Sequence, residues 1–278
     1  MAIATLDALF NALGTDFQRF MVDKSSIANL VAGQQASLWR ATGTPGQGAI
    51  PTAAAIPTSA TLGAITLTNA VLPRLNYLSW LMLRNANANT SVDIADRVAH
   101  QAALVLNLAT SQTTNLPIDV VTLGLSAARR GAANYSNLTW FLEVYADGGA
   151  TASNATINVT YNDGTTGNLN VVAVGGTLRA GRVISLTPFI PTADQGKFIR
   201  GINSVILSAS TGTAGNFGFT CLSVITGLEL PIATVTRVAT WDQLGHPSIE
   251  NDECLQFLVT TSTTSSGQLT GTGKITGG

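Results

Sequence analysis

The chain has 278 residues, 45% hydrophobic and only 10% charged, with 14 Lys and Arg against 15 Asp and Glu for a net charge of −1. That charged fraction is far below the ~25% usual in globular domains, and with no dense basic run the chain lacks the concentrated basic face that binding nucleic acid through its phosphates requires. The 2 cysteines and 2 histidines exclude a disulfide-dense scaffold and any Cys/His zinc spacing.

Near the start, Leu6, Leu9, Phe10, Leu13, Phe17, Phe20 and Met21 recur at steps of three and four. This spacing predicts one amphipathic helix running to Met21, with Thr5 as its cap and Asp7 at the positive end of its dipole. Gly14 weakens its middle by about 1 kcal/mol relative to Ala. Such a stripe needs a groove, and the chain's own body or a neighbouring subunit would serve. No basic stretch precedes this segment, so no signal peptide is expected, and no apolar run reaches the ~18 residues of a membrane span.

From Ser37 to Thr61 the chain changes character: Pro45, Pro51 and Pro57 recur among Gly, Ala and Thr. Each Pro removes a backbone donor and biases its predecessor towards extended geometry, so neither a helix nor a central strand runs through. About 25 extended residues reach roughly 80–90 Å. A plain linker would be more charged and less apolar than Ala49-Ile50-Pro51 and Ala53-Ala54-Ala55-Ile56. The segment reads as an extended arm lying on a surface, anchored by Trp39, Ile50 and Ile56, with Arg40, Pro45, Pro51 and Pro57 as further partner contacts. Residues 1–61 are thus expected to form helix and arm, and residues 62–278 a β body in which a break near 126–137 would separate two subdomains.

The body carries all-β signals. Ile65-Thr66-Leu67-Thr68 alternates, Tyr77–Leu83 is a short apolar run closed by the loop-like stretch 85–90, and Ile94–Leu108 fits helix and strand alike. Leu138–Tyr145 alternates and is closed by Asp147-Gly148-Gly149. The strongest hairpin signal is Thr156–Tyr161, Asp163-Gly164, Leu169–Val174. Further strands are expected at Val183–Leu186, Val205–Ser210, Phe217–Ile225, Cys254–Thr261 and Gln268–Thr276. The fold class is therefore mainly β: an antiparallel β-sandwich or jelly-roll body with an N-terminal helix and an extended Pro/Gly/Ala-rich arm. Cys221 and Cys254 sit in apolar runs and read as buried small hydrophobes, with one bridge between neighbouring strands left open.

Catalytic patterns are missing from the sequence. His100 and His246 lack a nearby acid and nucleophile, and no nucleophile elbow, zinc-binding helix or phosphate loop appears. A glycan hydrolase would need two carboxylates ~5–9.5 Å apart. Among Glu143, Asp147, Asp163, Glu229, Asp242, Glu250, Asp252 and Glu253, the two turn aspartates, Asp147 and Asp163, fit local backbone bonding. Glu250, Asp252 and Glu253 read as a solvated acidic loop, leaving Glu143 as the one carboxylate well inside a strand. Arg129-Arg130, and Arg179 with Arg182, fit either strand-edge charges or bidentate contacts across an interface. No enzyme, cofactor or metal site is expected.

Several segments together resemble virion structural proteins of tailed bacteriophages. They are Ser37-Leu38-Trp39-Arg40 entering the arm, Trp140–Tyr145 followed by Gly149–Ala152 and Ala155–Tyr161 with Asp163-Gly164, and Val205–Gly218, spanning about two-thirds of the chain. The resemblance implies a non-enzymatic decoration (cement) or minor capsid protein: a homotrimer on the capsid exterior, assembled in the host cytoplasm and bound to the major capsid protein through its arm. Alternatives are a neck, tail or baseplate component, or a host-glycan-binding module exposing Trp140, Tyr145, Tyr161 or Trp241. A near-zero net charge gives little electrostatic protection against association, in keeping with a surface covered by partners.

Overall fold

The computed structural model describes residues 5–15, 17–174, 176 and 179–278. After the helix α1 (Leu6–Thr15) the described residues are mainly antiparallel β-structure in three six-stranded sheets. The first sheet is built from β1 (Phe17–Lys24), β3 (Gly43–Thr44), β4 (Asn76–Asn85), β15 (Arg237–Thr240), β16 (Ser248–Ile249) and β18 (Leu269–Gly277). Its order is β15-β4-β18-β1-β3, with β16 also on β4. The central sheet contains β2 (Gln35–Ser37), β5 (Thr90–Leu104), β8 (Leu138–Ala146), β12 (Val183–Ser185), β14 (Asn216–Leu230) and β17 (Leu255–Thr261). These run in the order β12-β8-β14-β5-β17-β2. The third sheet holds β6 (Ser111–Gln112), β7 (Ile118–Asp119), β9 (Ser153–Tyr161), β10 (Thr166–Asn168), β11 (Val172–Val174) and β13 (Ile199–Leu207), ordered β10-β9-β13-β6 with β11 on β9 and β7 on β13.

The central sheet is shared by two cores. Val98, Leu104, Phe217, Phe219 and Trp140 meet Ile157, Val159, Ile202 and Val205 of the third sheet. Val92, Ile94, Leu228, Leu230 and Phe257 meet Phe20, Val22, Leu81, Leu83 and Ile275 of the first. Strands β5 and β14, 15 residues each, are long enough to serve both. Their ladder shifts register between Cys221 and Leu222 and again between Val224 and Thr226, where the sheet passes from one core to the other. Each large apolar side chain fully enclosed this way contributes roughly 1.5–3 kcal/mol.

The expected hairpin forms: Thr166 pairs with Thr160 and Val172 with Ala155 around the Asp163-Gly164 turn, where Gly164 has φ +84°. The ambiguous stretch from Ile94 is strand up to Leu104. One expectation fails near the start, where the helix stops at Thr15 and Phe17, Phe20 and Met21 lie on β1. There Phe20, Val22 and Lys24 are buried while Arg19, Met21 and Asp23 are exposed, a period of two. The three- and four-residue steps fitted both readings; the strand is chosen because β18, some 250 residues away in sequence, offers a complete ladder from Phe17–Thr276 to Lys24–Leu269. Helix α1 lies beside β1 and β18. Residues 17–61 supply β1, β2 and β3 to two of the three sheets, with β1 seated between β18 and β3.

Candidate functional site

The most concentrated chemistry lies inside the molecule. Strand β8 carries Glu143 between Leu142 and Val144, whose side chains enter the core with the third sheet. Glu143 points the other way, as does Arg97 on β5, and both are fully buried. Arg97 Nη2 lies 2.8 Å from each oxygen of the Glu143 carboxylate. Its Nε donates to Gln256 Oε1 at 3.0 Å, and its Nη1 donates to Tyr145 OH and Thr220 Oγ1 at 3.0 Å each. Thr220 Oγ1 in turn donates to Glu143 Oε2, so the Tyr145 hydroxyl, 2.8 Å from Thr220, is the donor in that pair. Every proton in the Tyr145–Thr220–Glu143 relay is thereby assigned, as a buried polar network needs if it is not to destabilise the fold. Burial opposes the charge on Arg97, but the Glu143 carboxylate outweighs it and lifts the guanidinium pKa above its usual value. Burial likewise works against Glu143 ionising, and Arg97 more than offsets it, holding the carboxyl below the usual range.

A second ion pair lies next to the first. Arg129, on the short helix α2 (Ala127–Arg130), donates from Nε and Nη2 to the two oxygens of Asp96 at 2.9 and 2.7 Å. Its Nη1 donates to the carbonyl of Pro57 at 3.0 Å. Arg129 is therefore neither a strand-edge charge nor an open interface arginine, because its guanidinium is used within the chain. Arg179 does pair at the surface, with Asp147 at 2.6 Å.

These charges fasten the Pro-rich segment to the body. The Trp39 ring lies 4.2 Å under the Arg97 guanidinium, and its Nε1 donates to Ala49 O at 2.9 Å. The ring fits a slot walled by glycine: a Cβ on Gly48 would come within 2.1 Å of it, and one on Gly63 within 2.9 Å. Lys24, 2% exposed, donates to the carbonyls of Ala41, Pro45 and Gly46 at 2.8–3.1 Å. Ala55 exchanges both backbone hydrogen bonds with His100 at 3.0 Å, so the segment extends the edge of β5 beyond β17. Asn115 Nδ2 donates to Thr52 O at 3.0 Å, and Ile65 N to Leu255 O at 2.8 Å.

The residues expected as partner anchors lie as follows. Trp39, Pro51 and Pro57 are buried in the chain's own interior, and Ile50 and Ile56 are half-buried, with Ile50 against Trp39, Ala64 and Tyr145. Half-buried Arg40 donates to Gly48 O, and the Pro45 carbonyl is held by Lys24. In this conformation the buried side chains among them are not available to another molecule, because the body's buried cations have drawn the segment in. Sequence reasoning missed Arg97, which sits in the stretch whose helix or strand character was ambiguous, and so missed the partner that explains Glu143.

The remaining expectations divide. Cys221 and Cys254 are buried free thiols. Asp163 accepts from Thr165 within its own turn, as expected, whereas Asp147 reaches Arg179 and the Ala180 amide. Glu253 is 7% exposed rather than solvated, and burial, aided by nearby Asp96, pushes its pKa up to about 8. His100 is buried beside Trp39, and burial with the Arg97 charge pulls its pKa down to about 3. Of the aromatics expected in a glycan groove, Trp140, Tyr145 and Tyr161 are each only 1% exposed, so they are core residues. Trp241 is half-buried between Tyr77 and His246, with ring centroids at 5.6 and 5.4 Å. Glu143 itself is fully buried. Among the described residues no group of three or more His, Cys, Asp and Glu could hold a metal, and no helix is long and apolar enough to cross a membrane.

No family model and no curated protein matches the chain. Solved structures with which it aligns include that of infectious bursal disease virus Gt strain, at 10% identity over 94% of this chain and 80% of that chain, with a TM-score of 0.17. The VP2 subviral particle of the same virus aligns at 10% identity over 94% and 79%, with a TM-score of 0.16. The Gx strain structure aligns at 9% over 93% and 80%, with a TM-score of 0.18. Superpositions this loose carry no argument about fold or function.

Proposed function

We propose that this chain is a non-enzymatic structural protein of a virus particle, on the capsid exterior, where neighbouring subunits cover its apolar surface. The observation that carries the reading is its exterior: Val71, Leu72, Leu62 and Phe10 are 81, 74, 63 and 61% exposed on a protein with only 10% charged residues. Large apolar side chains this open on a weakly charged surface support a reading in which partners cover them. The resemblance of its β segments to tailed-bacteriophage virion proteins supports the same role, with the major capsid protein as partner and a homotrimer as the assembled form. A three-sheet body braced by buried ion pairs suits a mechanical part, since the buried Arg97–Glu143 and Arg129–Asp96 pairs and Lys24 are all engaged in holding the chain together.

The test is quantitative mass spectrometry of particles purified from infected cells, followed by a reconstruction of the shell. The expected result is many copies per particle and three-sheet density on the outer surface. Absence from particles refutes the reading, and a handful of copies at one vertex would move the protein to a neck, tail or baseplate. Deleting residues 1–61 is not a usable test, because it would remove three strands from the sheets.

A further inference from the structure

The outward face of the first sheet carries an unresolved electrostatic conflict. In the β1–β18–β4–β15 ladder, Arg19 stands directly opposite Lys274, in one row with Trp80 and Thr240. Like charges directly opposite on adjacent strands are destabilising. Among the described residues neither cation has a carboxylate partner; Lys274 Nζ instead sits 4.2 Å over the Phe17 ring. The next row is Met21, Thr272, Met82 and Val238. Met21, Val238 and Phe17 are 57, 45 and 38% exposed, whereas the buried partners on the same strands, Phe20, Leu81 and Ala239, face the core. The third row sets Asp23 against Thr270 and Arg84, and Asp23 is engaged by Gln268 at 2.8 Å.

We infer that this face docks a protein segment that presents a carboxylate between Arg19 and Lys274 and lays apolar side chains over Met21, Met82 and Val238. The inference rests on the structural role proposed above and names the surface through which that role is exercised. Charge selects the occupant. An anionic group placed between the two cations relieves their repulsion, which gives the bound state an advantage the free chain lacks. A second copy meeting face to face about a two-fold axis at this row would set Arg19 and Lys274 against their own counterparts, so self-pairing centred here is disfavoured. A nucleic-acid backbone would satisfy the cations but leave the methionine and valine row without a match.

The experiment uses intact particles and the isolated full chain. Carbodiimide cross-linking with peptide mass spectrometry is expected to join Lys274 to an Asp or Glu of another polypeptide, and oxidation of Met21 is expected to slow on assembly. Arg19→Glu makes a complementary pair with Lys274, so the isolated variant melts at the wild-type temperature or higher, yet its incorporation falls about 30-fold or more, as for loss of a buried interfacial charge contact. A merely structural role for Arg19 predicts unimpaired incorporation from a variant that folds well. A chain found in particles with Lys274 uncross-linked and Met21 oxidised at the free rate overturns this inference alone; a chain absent from particles overturns it together with the proposed function. Tight binding of an oligothymidylate that is lost in Arg19→Glu also overturns it, in favour of nucleic acid.

Discussion

Replacing Glu143 by Gln changes one atom of a side chain with no exposed surface, so it isolates the charge from the packing. Arg97 would keep Gln256, Tyr145 and Thr220 as acceptors but lose the paired counter-charge 2.8 Å away. Thr220 would lose its carboxylate acceptor or find an amide donor in its place. Removing one partner of a buried pair costs about 3–5 kcal/mol, because the remaining ion stays desolvated. With an m-value of about 3 kcal/mol per M in urea, the unfolding midpoint should fall by about 1–1.7 M. The readout is equilibrium urea unfolding followed by tryptophan fluorescence, since Trp39 stacks on Arg97 and reports the site itself. A double replacement, Arg97→Met with Glu143→Leu, removes both charges and should recover most of the loss, as buried pairs exchanged for apolar residues do. A loss under about 1 kcal/mol for Glu143→Gln, the scale of an exposed pair, would refute the claim that these charges are locked away from water.

Three further outcomes follow from the same geometry. Gly48→Ala forces a methyl into the Trp39 ring, where the added Cβ would lie 2.1 Å from the nearest atom, and should cost about 1–3 kcal/mol by overpacking, read as a lower thermal midpoint. Arg129→Leu strands the Asp96 carboxylate and frees the Pro57 carbonyl, so hydrogen exchange at Ala55 and its neighbours should rise by far more than exchange in β13. Stability should show a plateau between about pH 4.5 and 6.5. Below it, His100 takes up a proton in the unfolded chain from pH 6.5 but in the folded chain only near 3, so stability is lost as pH falls, while above it Glu253 stays protonated in the folded chain up to about 8 and stability is lost as pH rises. Urea midpoints measured from pH 3.5 to 8.5 check this, and a maximum at pH 8 would contradict it.

The β class, the hairpin around Asp163-Gly164 and the positions of most body strands follow from residues close together in the chain. Alternating burial and turn residues are local properties, and composition sets the character of the surface. Long-range partners were not legible. Phe17, Phe20 and Met21 fit a helix until β18 supplies a ladder for them. The segment from Trp39 to Pro57 reads as an arm lying on a surface, but that the surface is the chain's own is visible only once Arg97, Lys24 and Arg129 are seen to hold it. Glu143 looks like an isolated acid in a strand until β5, β8 and β14 bring Arg97 and Thr220 against it. Local pattern determines which way a strand's side chains alternate; only the folded sheet order decides which charge each buried group meets, because that pairing joins residues tens to hundreds of positions apart and leaves no periodic trace along the chain.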